Sequence, residues 1–165
     1  MIAAKYLPFY SLLCISLWSC AQSTHLVKKV LATYTVHIPG NIAVDRNGNS
    51  ISQGDTLNVI YIETAPEKIQ WTKAWKDGKN YAIIKTLITG SSFDAGTNKL
   101  TNEKIILHVR GRNELWKLQL IQEEKFFLAP LKALPAEIIL QGIYRGKKIT
   151  QKIDKQTEIV GIPSV

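Results

Sequence analysis

The sequence predicts an all-β fold: a single antiparallel β-sandwich, Ig-like or transthyretin-like in shape, with about eight or nine short strands. Three observations carry this reading. Apolar and polar residues alternate with period two over short stretches, turn residues separate those stretches at intervals of about 8 to 12 residues, and no helical period is sustained long enough to compete. Gly, Asn and Asp supply most of the turns.

The first strand runs from Val30 to Ile38, where Val30, Ala32, Tyr34, Val36 and Ile38 share one face and Leu31, Thr33, Thr35 and His37 the other. Pro39-Gly40 closes it, a short strand Asn41–Asp45 follows, and Asn47-Gly48 is a strong hairpin signal because both residues tolerate positive φ. Thr56 to Glu63 is apolar on both faces, which predicts a central strand. Lys68 to Trp75 and Asn80 to Ile88 form a second hairpin around Asp77-Gly78. Thr89 to Asn102 is polar and Gly-rich, the expected mobile loop. Glu103 to Arg110 is expected to pair through Gly111-Arg112-Asn113 with Glu114 to Ile121. Phe126 to Leu128 is a further candidate strand, interrupted by Pro130 and Pro135. Glu137 to Tyr144 turns through Arg145-Gly146-Lys147-Lys148 into Ile149 to Asp154, and an irregular tail containing Pro163 ends the chain.

The N-terminus has a different character. Lys5 precedes an uncharged run from Tyr6 to Trp18. The run is short and holds Pro8, whereas a bilayer span needs about 20 apolar residues. A basic start, an apolar middle and a small-residue exit are the order of a secretory signal. The expected organisation is therefore a signal peptide over residues 1–20 and one β-sandwich domain over residues 21–165. Of the chain's 165 residues that leaves 145 for the body, enough for one core. The chain's formal charge is +8, and loss of Lys5 with the leader leaves +7 on the body. A basic exported body suits an anionic envelope surface, an anionic glycan or an acidic partner protein, and an exported protein does not meet nucleic acid.

Leu17-Trp18-Ser19-Cys20 closes the apolar run and resembles the lipobox of bacterial lipoproteins. That resemblance implies lipidation of Cys20, which would become the mature N-terminus. A second exit is open: Ser19 and Ala21 satisfy the small-x-small rule for ordinary cleavage after Ala21, which would release a soluble protein. Cysteine usage favours the anchor. Both cysteines, Cys14 and Cys20, lie in the leader, and the body offers neither a disulfide partner. Several acyl chains at about 0.8 kcal/mol per buried methylene hold a protein stably on a bilayer.

Candidate chemistry in the body is sparse. His25, His37 and His108 are scattered, with no second ligand at metal-binding spacing, so no metal site or cofactor is expected. The G-x-S-x-G elbow is missing, and Ser91 and Ser92 are expected to be loop residues. Asp45, Asn47 and Asn49 alternate, but Ser50 and Thr56 stand where a calcium loop needs Gly and Glu. The group of most interest is Trp71, Lys73 and Trp75, which share one strand face, with Tyr81 across the hairpin. This face either packs into the core, where Lys73 is awkward, or forms an exposed aromatic surface able to stack a sugar or dock a partner. The tips Lys76–Lys79, Arg110–Asn113 and Arg145–Lys148 are basic, and two of them converging would make an anion-attracting rim.

With no nucleophile, base and orienting group at recognisable spacing, the expectation is binding and not catalysis. The leading reading is an exported, lipid-anchored envelope protein with an accessory, anchoring or inhibitory role toward a partner protein. A glycan-binding module and a hydrolase with an unrecognised site are the alternatives.

Overall fold

The computed structural model describes residues 26–37, 47, 55–66, 69–125 and 127–161. The leader, Cys20, the strand expected over Asn41–Asp45, most of the Asn47-Gly48 turn, Phe126 and Pro163 lie outside the described residues. The protein is all-β, with ten strands among the described residues: β1 (Val27–His37), β2 (Asp55–Thr64), β3 (Gln70–Lys76), β4 (Lys79–Ile88), β5 (Ser92–Thr97), β6 (Lys104–His108), β7 (Glu114–Gln122), β8 (Ile138–Tyr144), β9 (Lys147–Ile153) and β10 (Gln156–Glu158).

Eight strands form one sheet in the order β10-β1-β2-β7-β4-β3-β8-β9, and β5 pairs with β6 as a separate ribbon. All neighbours are antiparallel except β1 and β10, where Ala32 to Tyr34 align in parallel with Gln156 to Glu158. The sheet curls into a half-barrel. The curl is visible in contacts that jump strands. Lys76 Nζ on β3 donates to Asn58 Oδ1 on β2 at 2.8 Å, although β7 and β4 lie between them in the sheet. Gln156 Nε2, on the edge strand β10, donates to the carbonyl of Ala136 beside β8 at 2.5 Å.

The concave face holds the larger core, in which Ile60, Ile62, Leu118, Ile138 and Leu140 are fully buried together with Trp71 and Tyr81. The β5–β6 ribbon covers the convex face over β1, β2 and β7, where Val59, Tyr61, Leu107 and Leu115 pack with Ala95 and Phe93. The Tyr61 and Phe93 rings lie 5.4 Å apart. β2 is therefore buried on both faces, as its sequence predicts. β1 is buried on both as well at Ala32 and Thr33, because the ribbon covers its second face.

The sandwich-like arrangement has one curled layer and a small cover, not two matched sheets. Three local expectations change with it. The stretch Thr89–Asn102 contains β5, because Phe93 and Ala95 alternate inward onto Tyr61 and Leu107. β6 pairs with β5 and not with β7, whose two edges are taken by β2 and β4. The expected tail contributes β10, tied on by Ile159 N to Tyr34 O at 3.0 Å. Phe127 and Leu128 are not in a strand.

A bulge in β3 between Trp71 and Lys73 changes which side chains share a face. Trp71 and Ala74 point into the concave core, and Lys73 and Trp75 turn to the convex side. Gly142 permits this packing from the neighbouring strand, since a Cβ there would stand 3.0 Å from Trp71 Cε3 and 3.0 Å from the Gln70 carbonyl. At the β3–β4 turn Asp77 and Gly78 take φ of 50 and 73, the positive pair that an Asp-Gly hairpin requires.

Candidate functional site

The strands give the sheet two distinct ends. At one, the chain enters β1 at Val27, β2 finishes at Thr64, β7 starts at Glu114 and β8 turns into β9 at Arg145-Gly146. At the other lie the Asp77-Gly78 turn, the end of β7 and the start of β8. The connection from β7 to β8, residues 123–137, runs across this second end as an irregular strap.

The strap is fixed from beneath by side chains of β3 and β4. Asn80, 2% exposed, donates through Nδ2 to the Lys125 carbonyl and accepts the Phe127 N–H through Oδ1 at 3.2 Å. Trp75 Nε1 donates to the Phe127 carbonyl at 2.9 Å. Lys73 Nζ lies 3.2 Å from the centre of the Phe127 ring, a cation–π contact that answers where a lysine between two tryptophans can go. Further along, Glu137 accepts the Leu134 N–H at 2.6 Å and pairs with Lys152 at 2.7 Å, while Ala136 N donates to Asp77 Oδ1 at 3.0 Å. The Lys152 ammonium, aided by the Leu134 N–H, holds the Glu137 carboxyl below its ordinary range, and the same contact raises the Lys152 pKa.

Held this way, the strap turns leucines outward. Leu128 is 83% exposed and Leu134 59%. Leu131 is exposed too, and Leu128 and Leu131 border, with Trp75, Lys76 and Pro130, an open hollow of about 370 Å³. Pro130 and Pro135 suit a segment that leaves the strand ladder, since proline cannot donate to it.

A second hollow, of about 530 Å³, opens at Tyr34, Lys99, Gln156 and Glu158. Glu158 accepts from Lys99 Nζ at 2.6 Å and from the Tyr34 hydroxyl at 3.4 Å. Inside the curl nearby, the Lys76 ammonium lies 5.6 Å from the Tyr34 ring centre. Burial lowers the Lys76 pKa, partly offset by Asp77. Bonding to Glu158 raises that of Lys99.

The structure places Trp71, Trp75 and Tyr81 inside, at 5%, 5% and 8% exposure. The expected shared aromatic face does not form: the bulge sends the two tryptophans to opposite sides of the sheet, and a sugar-stacking surface on these residues is corrected to two packing positions. Trp71 Nε1 has no hydrogen-bond acceptor among the described residues. Of the three basic tips, Arg110–Asn113 and Arg145–Lys148 share the end where β1 begins, and Lys76–Lys79 is at the strap end. His108 is exposed on β6. Among the described residues no group of three or more His, Cys, Asp or Glu side chains is gathered as for a metal ion.

Asn80, Glu137 and the outward leucines were not singled out by the sequence. The signal that marks the strap was present in "FFLAPLKALPAE", which is too apolar for an idle loop and too rich in proline for a strand. No protein-family model, curated protein or solved structure matches the chain.

Proposed function

We propose that this protein is exported, held on the bacterial cell envelope by lipid on Cys20, and acts by binding a partner protein through the strap. The leader pattern and the confinement of both cysteines to it support the anchor. The observation that carries the binding role is the strap itself. Leucines exposed on a segment pinned by Trp75, Asn80 and Glu137 are a rigid apolar patch, and such patches mark protein contacts more often than idle surface. The strap lies at the end opposite to where the chain enters β1, so a chain tethered by its N-terminus presents the leucines away from the tether. An accessory, anchoring or inhibitory lipoprotein of an envelope assembly has these properties.

The test is affinity capture of the tagged full chain from detergent-solubilised envelopes. One stoichiometric envelope protein is expected, and Leu128→Asp with Leu131→Asp should abolish its recovery while leaving the melting temperature unchanged. Equal recovery by the double variant would remove the strap from the interaction. Capture of no partner under mild detergent would count against binding as the role.

A further inference from the structure

The end of the sheet opposite the strap carries a concentration of unpaired positive charge. Lys28 and Lys29 open β1, Arg110 and Arg112 sit on the turn into β7, and Lys147 and Lys148 follow the β8–β9 turn; all six are exposed. None makes an ion pair among the described residues, whereas at the strap end Lys99, Lys152 and Lys76 are each matched to a carboxylate. Among the described residues, Glu63 and Glu114 at the basic end turn to neutral donors: Glu63 takes the Arg110 N–H at 3.1 Å and Asn113 Nδ2 at 2.6 Å, and Glu114 takes Trp116 Nε1 at 3.2 Å. The Glu63 contacts also fix the turn that bears Arg110 and Arg112. From β1 to β9 there are six strand spacings of about 4.8 Å, and the curl folds that arc into a rim facing one way.

We infer that this basic rim docks on the anionic headgroups of a lipid bilayer. The inference rests on the reading of the chain as exported and tethered by its N-terminus, and three arguments favour a membrane over other anions. Among the described residues the cations of the rim stand on separate turns and strand ends, and the hollow beside Lys29 is only about 10 Å³, too small to enclose a phosphate-sized anion. Its charges are exposed, as a headgroup layer needs. The chain enters the fold at this same end, and the six residue steps from Cys20 to Leu26 span at most about 22 Å. A lipid at Cys20 therefore lets the rim reach the headgroup layer itself, within the Debye length of about 8 to 10 Å over which each lysine or arginine adds attraction. Docked so, the domain stands with the strap outward instead of tumbling on its tether.

Sedimentation with vesicles tests this, using the mature chain, residues 20–165, bearing Cys20→Ser so that neither leader nor lipid contributes. Vesicles of equal parts phosphatidylcholine and phosphatidylglycerol are compared with phosphatidylcholine alone, at low and high salt. The unreversed chain should prefer the anionic vesicles about tenfold or more at low salt, and lose the preference at high salt. Arg110→Glu, Arg112→Glu, Lys147→Glu and Lys148→Glu together should erase it, and Gln at the same four positions should weaken it without reversing charge. Glu at Lys79, Lys125, Lys132 and Lys155, four exposed strap-end positions, should leave most of it. Equal losses from the two Glu sets would reduce the effect to net charge and overturn the inference, as would the absence of any preference. Lipid on Cys20 is read separately from the mass of the native N-terminus, so either idea can fail alone.

Discussion

At the strap end of the sheet, charged and polar side chains are built into the fold. At the basic end Glu63 is built in likewise, but the lysines and arginines stand exposed on turns and strand ends. Asn80, Trp75, Glu137 and Lys76 each make a contact that holds one segment against another, while Lys28, Arg112 and Lys148 are exposed with no carboxylate partner among the described residues. The difference separates two uses of polar residues in one small domain. Some set the shape of an apolar surface, and others supply a field. Substitutions should therefore damage stability at one end and only surface binding at the other.

The largest effect is expected from Asn80→Ala. The change strips a donor from the Lys125 carbonyl and an acceptor from the Phe127 N–H, and two part-buried groups losing partners cost about 2 kcal/mol. Urea unfolding would measure the loss, and brief proteolysis should cut within residues 127–134 sooner than in the unaltered protein. Next come the two tryptophans. Phe at either position removes similar ring area, but Trp75→Phe also breaks the bond to the Phe127 carbonyl, whereas Trp71 Nε1 has no acceptor among the described residues. Trp75→Phe should be the more damaging by about 1 kcal/mol, and equal losses would mean that the indole N–H does not hold the strap.

A smaller effect is confined to acid. Because Lys152 and the Leu134 N–H depress the folded pKa of Glu137 below its ordinary 4.5, the carboxylate contributes stability that is fully present above that value. The contribution is lost as pH falls through the depressed folded value. Glu137→Gln should flatten this part of the stability–pH profile and leave its alkaline side governed by other groups. Smallest of all, Arg112→Ala with Lys148→Ala should shift stability by less than about 0.5 kcal/mol, since Arg112 is exposed on a turn and Lys148 is exposed at the start of β9. A greater loss would show that the basic end is structural and erase the contrast.

Much of the fold was legible because period-two alternation and Asp-Gly or Arg-Gly turns are local signals. Val30–Ile38, Thr56–Glu63 and Asn80–Ile88 fall within a few residues of β1, β2 and β4. What escaped depended on partners distant in sequence. β5 was hidden because Ser92–Thr97 is polar and Gly-bearing, and only its packing on Tyr61 makes a strand of it. The bulge in β3 overturned the shared face of Trp71 and Trp75, since one added residue reverses every later side chain and no residue type announces it. The site was less legible still. Lys73 looked awkward for a core and out of place on a surface until the strap supplied the Phe127 ring, a contact made 54 positions away in sequence.

The reading as a whole turns on how the chain is held. The mass of the mature N-terminus, measured on protein purified from whole cultures of the cells that make it, tests that most directly. The account predicts a chain beginning at Cys20 and heavier than its amino acids by thioether-linked and N-linked acyl groups. An unmodified chain beginning at Gln22 would contradict it, by showing release after Ala21 and a protein with no tether.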